Sequence, residues 1–128
     1  MAVLARDCSA VTGACLATRR AVFDDLGGFD VTLGVDLNDI DFCLRARQRD
    51  LRVLYEPQAE LVHYESPSRG TSGSLEDIDR FVDRWEGLIS AGDPFLNRNL
   101  SRLNSSCALR EPDEDGWWQE WRSTLGRS

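Results

Sequence analysis

The stretch "GGFDVTLGVDLNDIDFCLR", residues 27–45, places two adjacent glycines and several aspartates at the start of a helical pattern. Apolar residues that share one face at about 100° per residue indicate a helix from Asp36 to about Arg49. These apolar residues are Leu37, Ile40 and Leu44. The aspartates are Asp30, Asp36, Asp39 and Asp41. So many carboxylates around one helix start raise the question of whether any of them takes part in chemistry.

Part of this charge has an ordinary structural interpretation. Asp36 is expected to be the N-cap, and Asp39 follows three residues later, as in a weak capping box. Asp41 lies four residues before Arg45, which is the spacing of an ion pair along one helix face. Because Asp39 and Asp41 lie roughly 160° apart around the helix, the two carboxylates cannot serve one small site equally.

The neighbouring segments predict alternating strands and helices. Residues 9–18, "SAVTGACLAT", read as a buried strand in which Gly13 permits a close backbone approach. Residues 19–30, "RRAVFDDLGGFD", predict a short helix that stops at the glycine pair, where Gly27 can supply a left-handed cap. Two further strands are expected over residues 51–57, "LRVLYEP", and 59–65, "AELVHYE".

The clearest amphipathic helix follows a turn-rich loop, "SPSRGTSGS", at residues 66–74. Apolar residues then recur at i, i+3, i+4 and i+7 as far as Gly92. They are Leu75, Ile78, Phe81, Val82, Trp85, Leu88 and Ile89. We interpret this stripe as core or interface rather than as a ligand site.

Composition limits the class of protein. A chain of 128 residues with 41% hydrophobic residues suits one compact domain. Its formal charge of -7 disfavours nucleic acid and anionic lipid as partners. Four cysteines without CxxC or Cys/His spacing suggest neither zinc nor disulfides, but buried thiols in a reducing compartment. Without a signal-like or membrane-spanning run, the expected location is the cytoplasm, including the cytoplasmic face of the membrane.

Three segments together resemble the C-terminal half of bacterial family 2 glycosyltransferases, in particular the rhamnosyltransferase and surface-polysaccharide type. They are "AVTGACLATRRAVFDDLGGFD", "NDIDFCLRARQRDLRVLYEPQAELVHYESPSRG" and "DPFLNRNLS". The resemblance spans roughly residues 9–110. Its specificity comes from the order of the features: a glycine pair, an Asp-rich helix start, a histidine on a strand, and "DPFLN".

The resemblance implies an α/β fold, the C-terminal part of a GT-A domain, with a short mixed sheet flanked by helices. Residues 1–110 would form the lobe that carries the acceptor and the base, and residues 111–128 an acidic, Trp-rich tail. The N-terminal donor lobe, with its DxD motif for metal and diphosphate, is not found in this sequence. The chain alone is therefore expected to be inactive and to bind hardly any metal.

The implied reaction is an inverting transfer of a sugar from a nucleotide-diphospho-sugar to a hydroxyl of a glycan or a lipid-linked acceptor. A carboxylate base contributes about 10²- to 10⁴-fold to such a step. The family's base lies in a motif written (E/N/D)-D-x-D, and the matching residue here is Asp39. The first turn of a helix stabilises a carboxylate through the helix dipole. The alternative is that Asp39 only caps the helix.

The resemblance also implies a set of residues at the substrates. The glycine turn would form a wall for the acceptor, Asn38 would bond a sugar hydroxyl, and Arg69 would neutralise diphosphate charge. The substrate-binding set is Gly27, Gly28, Asp30, Asn38, Asp41 and Arg69. The alternatives are a plain helix stop for the glycines, a helix-setting ion pair for Asp41, and a solvated loop for Arg69.

His63, the only histidine, would face the diphosphate and its divalent cation, Mn²⁺ or Mg²⁺, in the complete enzyme. Without the resemblance, a lone strand histidine is more often a satisfied structural residue. Carboxylate and diphosphate oxygens would supply the other ligands, since both cations prefer oxygen.

A second class of function competes with the enzyme: a non-catalytic interaction module that keeps the scaffold without the donor-binding half. In either case the partners expected are not nucleic acids. The complete enzyme would bind a nucleotide-sugar donor and a glycan acceptor. A protein partner or a second copy would bind through the stripe at Phe81 and Trp85, or through the tail at Trp117, Trp118 and Trp121.

Overall fold

The structure is a computed structural model that describes residues 4–33, 37–62, 74–101, 108–111 and 114. The described chain is mixed α/β, with a small antiparallel sheet and three α-helices. In chain order the elements are β1 (Arg6–Asp7), a 3₁₀ turn (Gly13–Cys15), α1 (Arg20–Asp25), α2 (Asn38–Gln48), β2 (Leu54–Tyr55) and α3 (Leu75–Ala91). They fall into two compact units, Met1–Arg84 and Trp85–Ser128. Helix α3 contributes residues to both units.

The sheet of the first unit consists of β1 and β2, with Arg6 opposite Tyr55 and Asp7 opposite Leu54. The Asp7 carboxylate also accepts two hydrogen bonds from the Arg52 guanidinium, at 2.8 and 2.9 Å. The strand expected over residues 51–57 is confirmed at its centre. Strand β1 was not expected, because two polar residues carry no periodic signal.

The other two strand predictions are wrong for the described residues. Residues 9–18 contain the 3₁₀ turn at Gly13–Cys15, where the Thr12 hydroxyl accepts a hydrogen bond from the N–H of Ala14 at 3.2 Å. Residues 59–62 lie outside any strand, and residues 63–65 are outside the described part. The backbone is extended at Thr12 and Leu16, as the composition favours, but a strand also needs a paired neighbour.

Helix α1 ends at the glycine pair, as expected. Gly27 and Gly28 have φ angles of 78° and 70°. The N–H of Gly28 donates to the carbonyl of Phe23 at 2.9 Å, and the N–H of Gly27 to that of Asp24 at 3.0 Å. This pair of bonds defines a Schellman motif. The ring of Phe23 then packs edge-on to that of Phe29, with centroids 5.3 Å apart.

Helix α2 begins at Asn38, with Leu37 at the N-cap and no capping hydrogen bond from its side chain. The assignment of Asp36 as N-cap, and with it the capping box, is therefore wrong; Asp36 itself is outside the described residues. The carboxylate of Asp39 is engaged elsewhere, as described below. The helix buries Phe42, Cys43 and Leu44.

Helix α3 is confirmed over nearly its whole expected length. The Ser74 hydroxyl accepts a hydrogen bond from the N–H of Asp77 at 3.2 Å at its start. Phe81 and Trp85 are only 8% and 3% exposed, so the middle of the stripe is core. This corrects the idea that these two rings present a surface to a partner. At the start of the same stripe Leu75 is 65% exposed.

The second unit continues from α3 through two turns and a short bridge. Asp93 accepts a hydrogen bond from the N–H of Phe95 at 2.9 Å, so "DPFLN" forms a turn. Leu100 and Leu109 form an antiparallel bridge. The tail tryptophans at 117, 118 and 121 lie outside the described residues. No helix within the described ranges is both long and apolar enough to cross a membrane.

Candidate functional site

Asp39 lies in the first turn of α2, partly exposed, with both carboxylate oxygens oriented by backbone donors. Its Oδ2 accepts a hydrogen bond from the N–H of Gly13 at 2.5 Å, and its Oδ1 accepts one from the N–H of Ile40 at 2.7 Å. A Cβ on Gly13 would lie 3.2 Å from both Cβ and Oδ2 of Asp39. Gly13 does have a close neighbour, but this neighbour is the Asp39 side chain rather than the expected backbone segment, and Gly13 lies in a 3₁₀ turn rather than in a strand.

Asp41 has a different environment, since its side chain is fully buried and ion-paired. Its Oδ2 accepts a hydrogen bond from Nε of Arg45 at 2.7 Å, which confirms the expected i, i+4 pair. Its Oδ1 accepts one from Nη1 of Arg84, on α3, at 2.9 Å. The two carboxylates of α2 thus meet different partners, as their angular separation predicts.

Asp30 shares the same arginine nitrogen. Nη1 of Arg84 lies 2.7 Å from Oδ2 of Asp30. Oδ1 of Asp30 accepts hydrogen bonds from the hydroxyl of Thr32 at 2.7 Å and from its N–H at 2.8 Å. These Thr32 bonds, followed by the Arg84 contact, hold the pKa of Asp30 well below its usual value. The pKa of Arg84 is raised, first by Asp41 and then by Asp30.

The glycine turn is joined to α2 through Arg45. This guanidinium donates to the backbone carbonyl of Leu26 through Nη1, and to that of Gly28 through Nη2 at 2.7 Å. It also lies over the ring of Phe42, 5.6 Å from the centroid. A single arginine therefore connects the end of α1, the glycine turn and the buried carboxylate of Asp41.

Three of the six expected substrate residues belong to this arrangement. Gly28, Asp30 and Asp41 are joined through the two arginines, whereas a Cβ on Gly27 would meet no described atom within 4 Å. Asn38 is the first residue of α2 and is partly exposed. Arg69 and His63 lie outside the described residues, so their expected roles stay predictions.

Sequence reasoning did not identify Arg84 as a residue of this site. It lies 43 positions from Asp41, so no local spacing signals the contact. The partner of Gly13 was missed for the same reason.

The described part of the chain contains no group of three or more His, Cys, Asp or Glu side chains that could hold a metal ion. Asp30 and Asp41 are paired with arginines instead.

The first unit also contains an open, largely apolar groove of about 690 Å³. It is lined by residues between 6 and 22, by one face of α2, and by residues 51–59. Three cysteines contribute to it: Cys8 is half-buried, Cys15 exposed and Cys43 buried. Burial raises the pKa of the Cys43 thiol. The expectation of buried thiols therefore holds for Cys43 and is wrong for Cys15.

Similarity to known proteins covers most of the chain. It is 37% identical over 127 residues, 95% of this chain, to the O-antigen biosynthesis protein RfbC of Myxococcus xanthus. It is 37% identical over 117 residues, 85% of this chain, to the uncharacterised protein y4gI of Sinorhizobium fredii. The N-acetylglucosaminyl-diphospho-decaprenol L-rhamnosyltransferase of Mycobacterium tuberculosis is 33% identical over 60 residues, 47% of this chain.

These relatives are much longer proteins. The chain spans 10% of the Myxococcus protein, 13% of the Sinorhizobium protein, and its matched part 20% of the mycobacterial enzyme. No family model matches the chain, and no solved structure matches it. The resemblance drawn from the motifs is nevertheless confirmed by the relatives: the chain is similar over most of its length to a segment of an O-antigen biosynthesis protein, and over about half of its length to a segment of an L-rhamnosyltransferase.

Proposed function

We propose that the chain forms the acceptor and base side of an inverting glycosyltransferase with a GT-A fold. The donor is a nucleotide-diphospho-sugar, and the acceptor is a hydroxyl of a glycan or a lipid-linked sugar in cell-surface polysaccharide synthesis. The observation that carries this proposal is Asp39, a partly exposed carboxylate held in a fixed orientation at the start of α2. The relatives' names support the pathway and acceptor class, since they refer to O-antigen biosynthesis and to a diphospho-decaprenol-linked sugar.

Asp39 acts as the general base in this proposal. The acceptor hydroxyl oxygen attacks the anomeric carbon while its proton passes to a carboxylate oxygen of Asp39. The bond between that carbon and the diphosphate oxygen breaks, and its electron pair leaves with the diphosphate. Each carboxylate oxygen has two lone pairs and accepts one described backbone hydrogen bond, from Gly13 or from Ile40. The second lone pair of either oxygen is thus available for the hydroxyl proton.

The glycine turn and the start of α2 orient the acceptor. The turn at Gly27 and Gly28 forms a wall for the acceptor, and the amide of Asn38 bonds a sugar hydroxyl beside the base. Asp30 shapes this wall through its bonds to Thr32 and Arg84. Asp41, which is fully buried, contributes by holding the helix rather than by touching the sugar.

The donor side is supplied by a part of the longer protein. The small share of each relative that this chain spans supports this assignment, and so does the open apolar groove, which is the kind of surface that another lobe would cover. Arg69 and His63 are proposed to face the donor diphosphate. A divalent Mn²⁺ or Mg²⁺, when bound, supplies Lewis-acid stabilisation of the leaving diphosphate.

The test is Asp39→Asn in an active protein that contains this chain together with the donor lobe. Because the amide cannot accept the proton, we expect turnover to fall by at least about a hundredfold while donor affinity changes little. Asp25→Asn, at an exposed carboxylate at the end of α1, is the matched control and should leave turnover unchanged. Near-normal turnover of Asp39→Asn would remove the base assignment. A longer protein that binds partners but transfers no sugar would favour the interaction module.

A further inference from the structure

A charge network around the buried carboxylate of Asp41 holds the start of α2. Its central group is Arg84, whose Nη1 lies 2.9 Å from Oδ1 of Asp41 and 2.7 Å from Oδ2 of Asp30. One nitrogen of α3 therefore bridges a carboxylate of α2 and a carboxylate of the turn that follows α1. The side chain of Asp41 is fully buried, whereas that of Arg84 is 36% exposed.

A fully buried carboxylate is stable only when its partners offset the loss of hydration. Arg45 binds Asp41 from within α2 and connects the helix to the carbonyls of Leu26 and Gly28 at the end of α1. Arg84 comes from α3 and also binds Asp30, so it adds a second connection between the first turn of α2 and the turn that follows α1. Arg84 therefore helps to set the position of the first turn of α2 and also offsets the charge of Asp41.

The start of α2 depends on such contacts because its N-cap residue, Leu37, makes no capping bond through its side chain. The first turn is held instead by Asp39, which binds Gly13, and by Asp41, which binds the two arginines. These attachments lie on different faces of the helix. Loss of the bond between Asp41 and Arg84 would therefore allow the first turn to rotate. The short bond between Asp39 and Gly13 would be lengthened first.

We infer that Arg84 is a positioning residue for Asp39, an inference that rests on the proposed role of Asp39 as the base. Arg84 does not contact Asp39; it acts through Asp41 and Asp30. Its removal should weaken the bond from the N–H of Gly13 to Asp39 even where the protein remains folded.

The experiment measures amide hydrogen exchange by NMR in the 128-residue chain. In Arg84→Ala we expect the Gly13 amide to exchange about fivefold faster, the loss that corresponds to one hydrogen bond of ordinary strength. If Arg84 only stabilised the fold, Arg84→Ala would lower the unfolding midpoint but would not change the exchange rate of the Gly13 amide, which exchanges through local opening. Arg80→Ala is the matched control. Arg80 lies one turn before Arg84 on α3 and contacts the Thr32 carbonyl and Asp77. Its loss should leave the exchange rate of the Gly13 amide unchanged.

A second variant covers the case in which Arg84→Ala does not fold. Arg84→Gln keeps a donor and most of the side-chain length, and should accelerate the Gly13 amide in the same direction by a smaller factor. The inference is overturned if a folded Arg84 variant leaves the exchange rate of the Gly13 amide unchanged, if Arg80→Ala accelerates that exchange equally, or if neither Arg84 variant folds. None of these readouts requires transferase activity. A failed base assignment would appear separately, as normal turnover of Asp39→Asn.

Discussion

The carboxylate of Asp39 accepts a hydrogen bond from the backbone N–H of Gly13 at 2.5 Å, across 26 positions of sequence. The bond is possible because Gly13 has no side chain: a Cβ there would lie 3.2 Å from Oδ2 and Cβ of Asp39. A distance of 3.2 Å is shorter than in most real Cβ contacts, so a Cβ at position 13 would force the Asp39 carboxylate to move by a few tenths of an ångström. The glycine therefore sets the position of the proposed base.

The first prediction is that Gly13→Ala impairs transfer more than it impairs folding. Since a misplacement of about 1 Å can cost 10²-fold in rate, we expect kcat in an active protein that contains this chain to fall about tenfold. Gly87→Ala, where a Cβ would meet no described atom within 4 Å, is the control. It should leave kcat unchanged and stabilise α3 by up to about 1 kcal/mol. Equal kcat values for the two variants would contradict the role of Gly13.

The second prediction separates the two glycines of the turn after α1. Both have positive φ, but a Cβ on Gly28 would lie 3.1 Å from the ring of Phe23, while one on Gly27 would meet no described atom within 4 Å. Gly27→Ala should lower the free energy of unfolding by about 1 kcal/mol, the cost of a left-handed non-glycine residue. Gly28→Ala should cost about 2 to 3 kcal/mol, because overpacking adds to that strain. Urea unfolding of the chain measures both, and equal losses would show that the ring moves freely.

The features that the sequence predicted are the local ones. The glycine stop of α1, the extent of α3 and the pair of Asp41 with Arg45 all depend on residues within a few positions, where periodicity and spacing are informative. The strand expected over residues 9–18 failed because extended backbone becomes a strand only when another segment pairs with it. The bonds of Asp39 to Gly13 and of Asp41 to Arg84 cross 26 and 43 positions, and spacing carries no information at that range.

The third prediction concerns acid. The pKa of Asp30 is held below its ordinary value of 3.8, first by Thr32 and then by Arg84. A carboxyl with a lowered folded pKa contributes stability that is fully present above its unfolded pKa and is lost as the pH falls below about 4. Thr32→Val removes the hydroxyl donor, so the pKa of Asp30 should rise and the acid-dependent part of the stability should shrink. NMR titration of the Asp30 carboxyl, with unfolding measured between about pH 2 and 6, tests both effects.

The control for this experiment is Thr18→Val, at an exposed threonine for which no role in the site is proposed. It should leave the titration of Asp30 and the acid-dependent stability as they are in the parent chain. If Thr32→Val also left the titration of Asp30 in place, the Thr32 hydroxyl would not be its main stabilising partner.

The last prediction compares a buried and an exposed carboxylate in the same kind of ion pair. Asp41 is 0% exposed beside Arg45, whereas Asp24 is 57% exposed beside Arg20, and both pairs have i, i+4 spacing. Removal of one partner of a buried pair typically costs 3 to 5 kcal/mol, but Arg45 and Arg84 each keep another acceptor when Asp41 is replaced. Asp41→Asn should therefore lower the free energy of unfolding by about 2 kcal/mol, whereas Asp24→Asn should cost less than about 0.5 kcal/mol. Urea denaturation at neutral pH measures both. Similar losses would mean that burial adds nothing to the Asp41 pair, and the start of α2 would then have to be held mainly by the bond of Asp39 to the 3₁₀ turn.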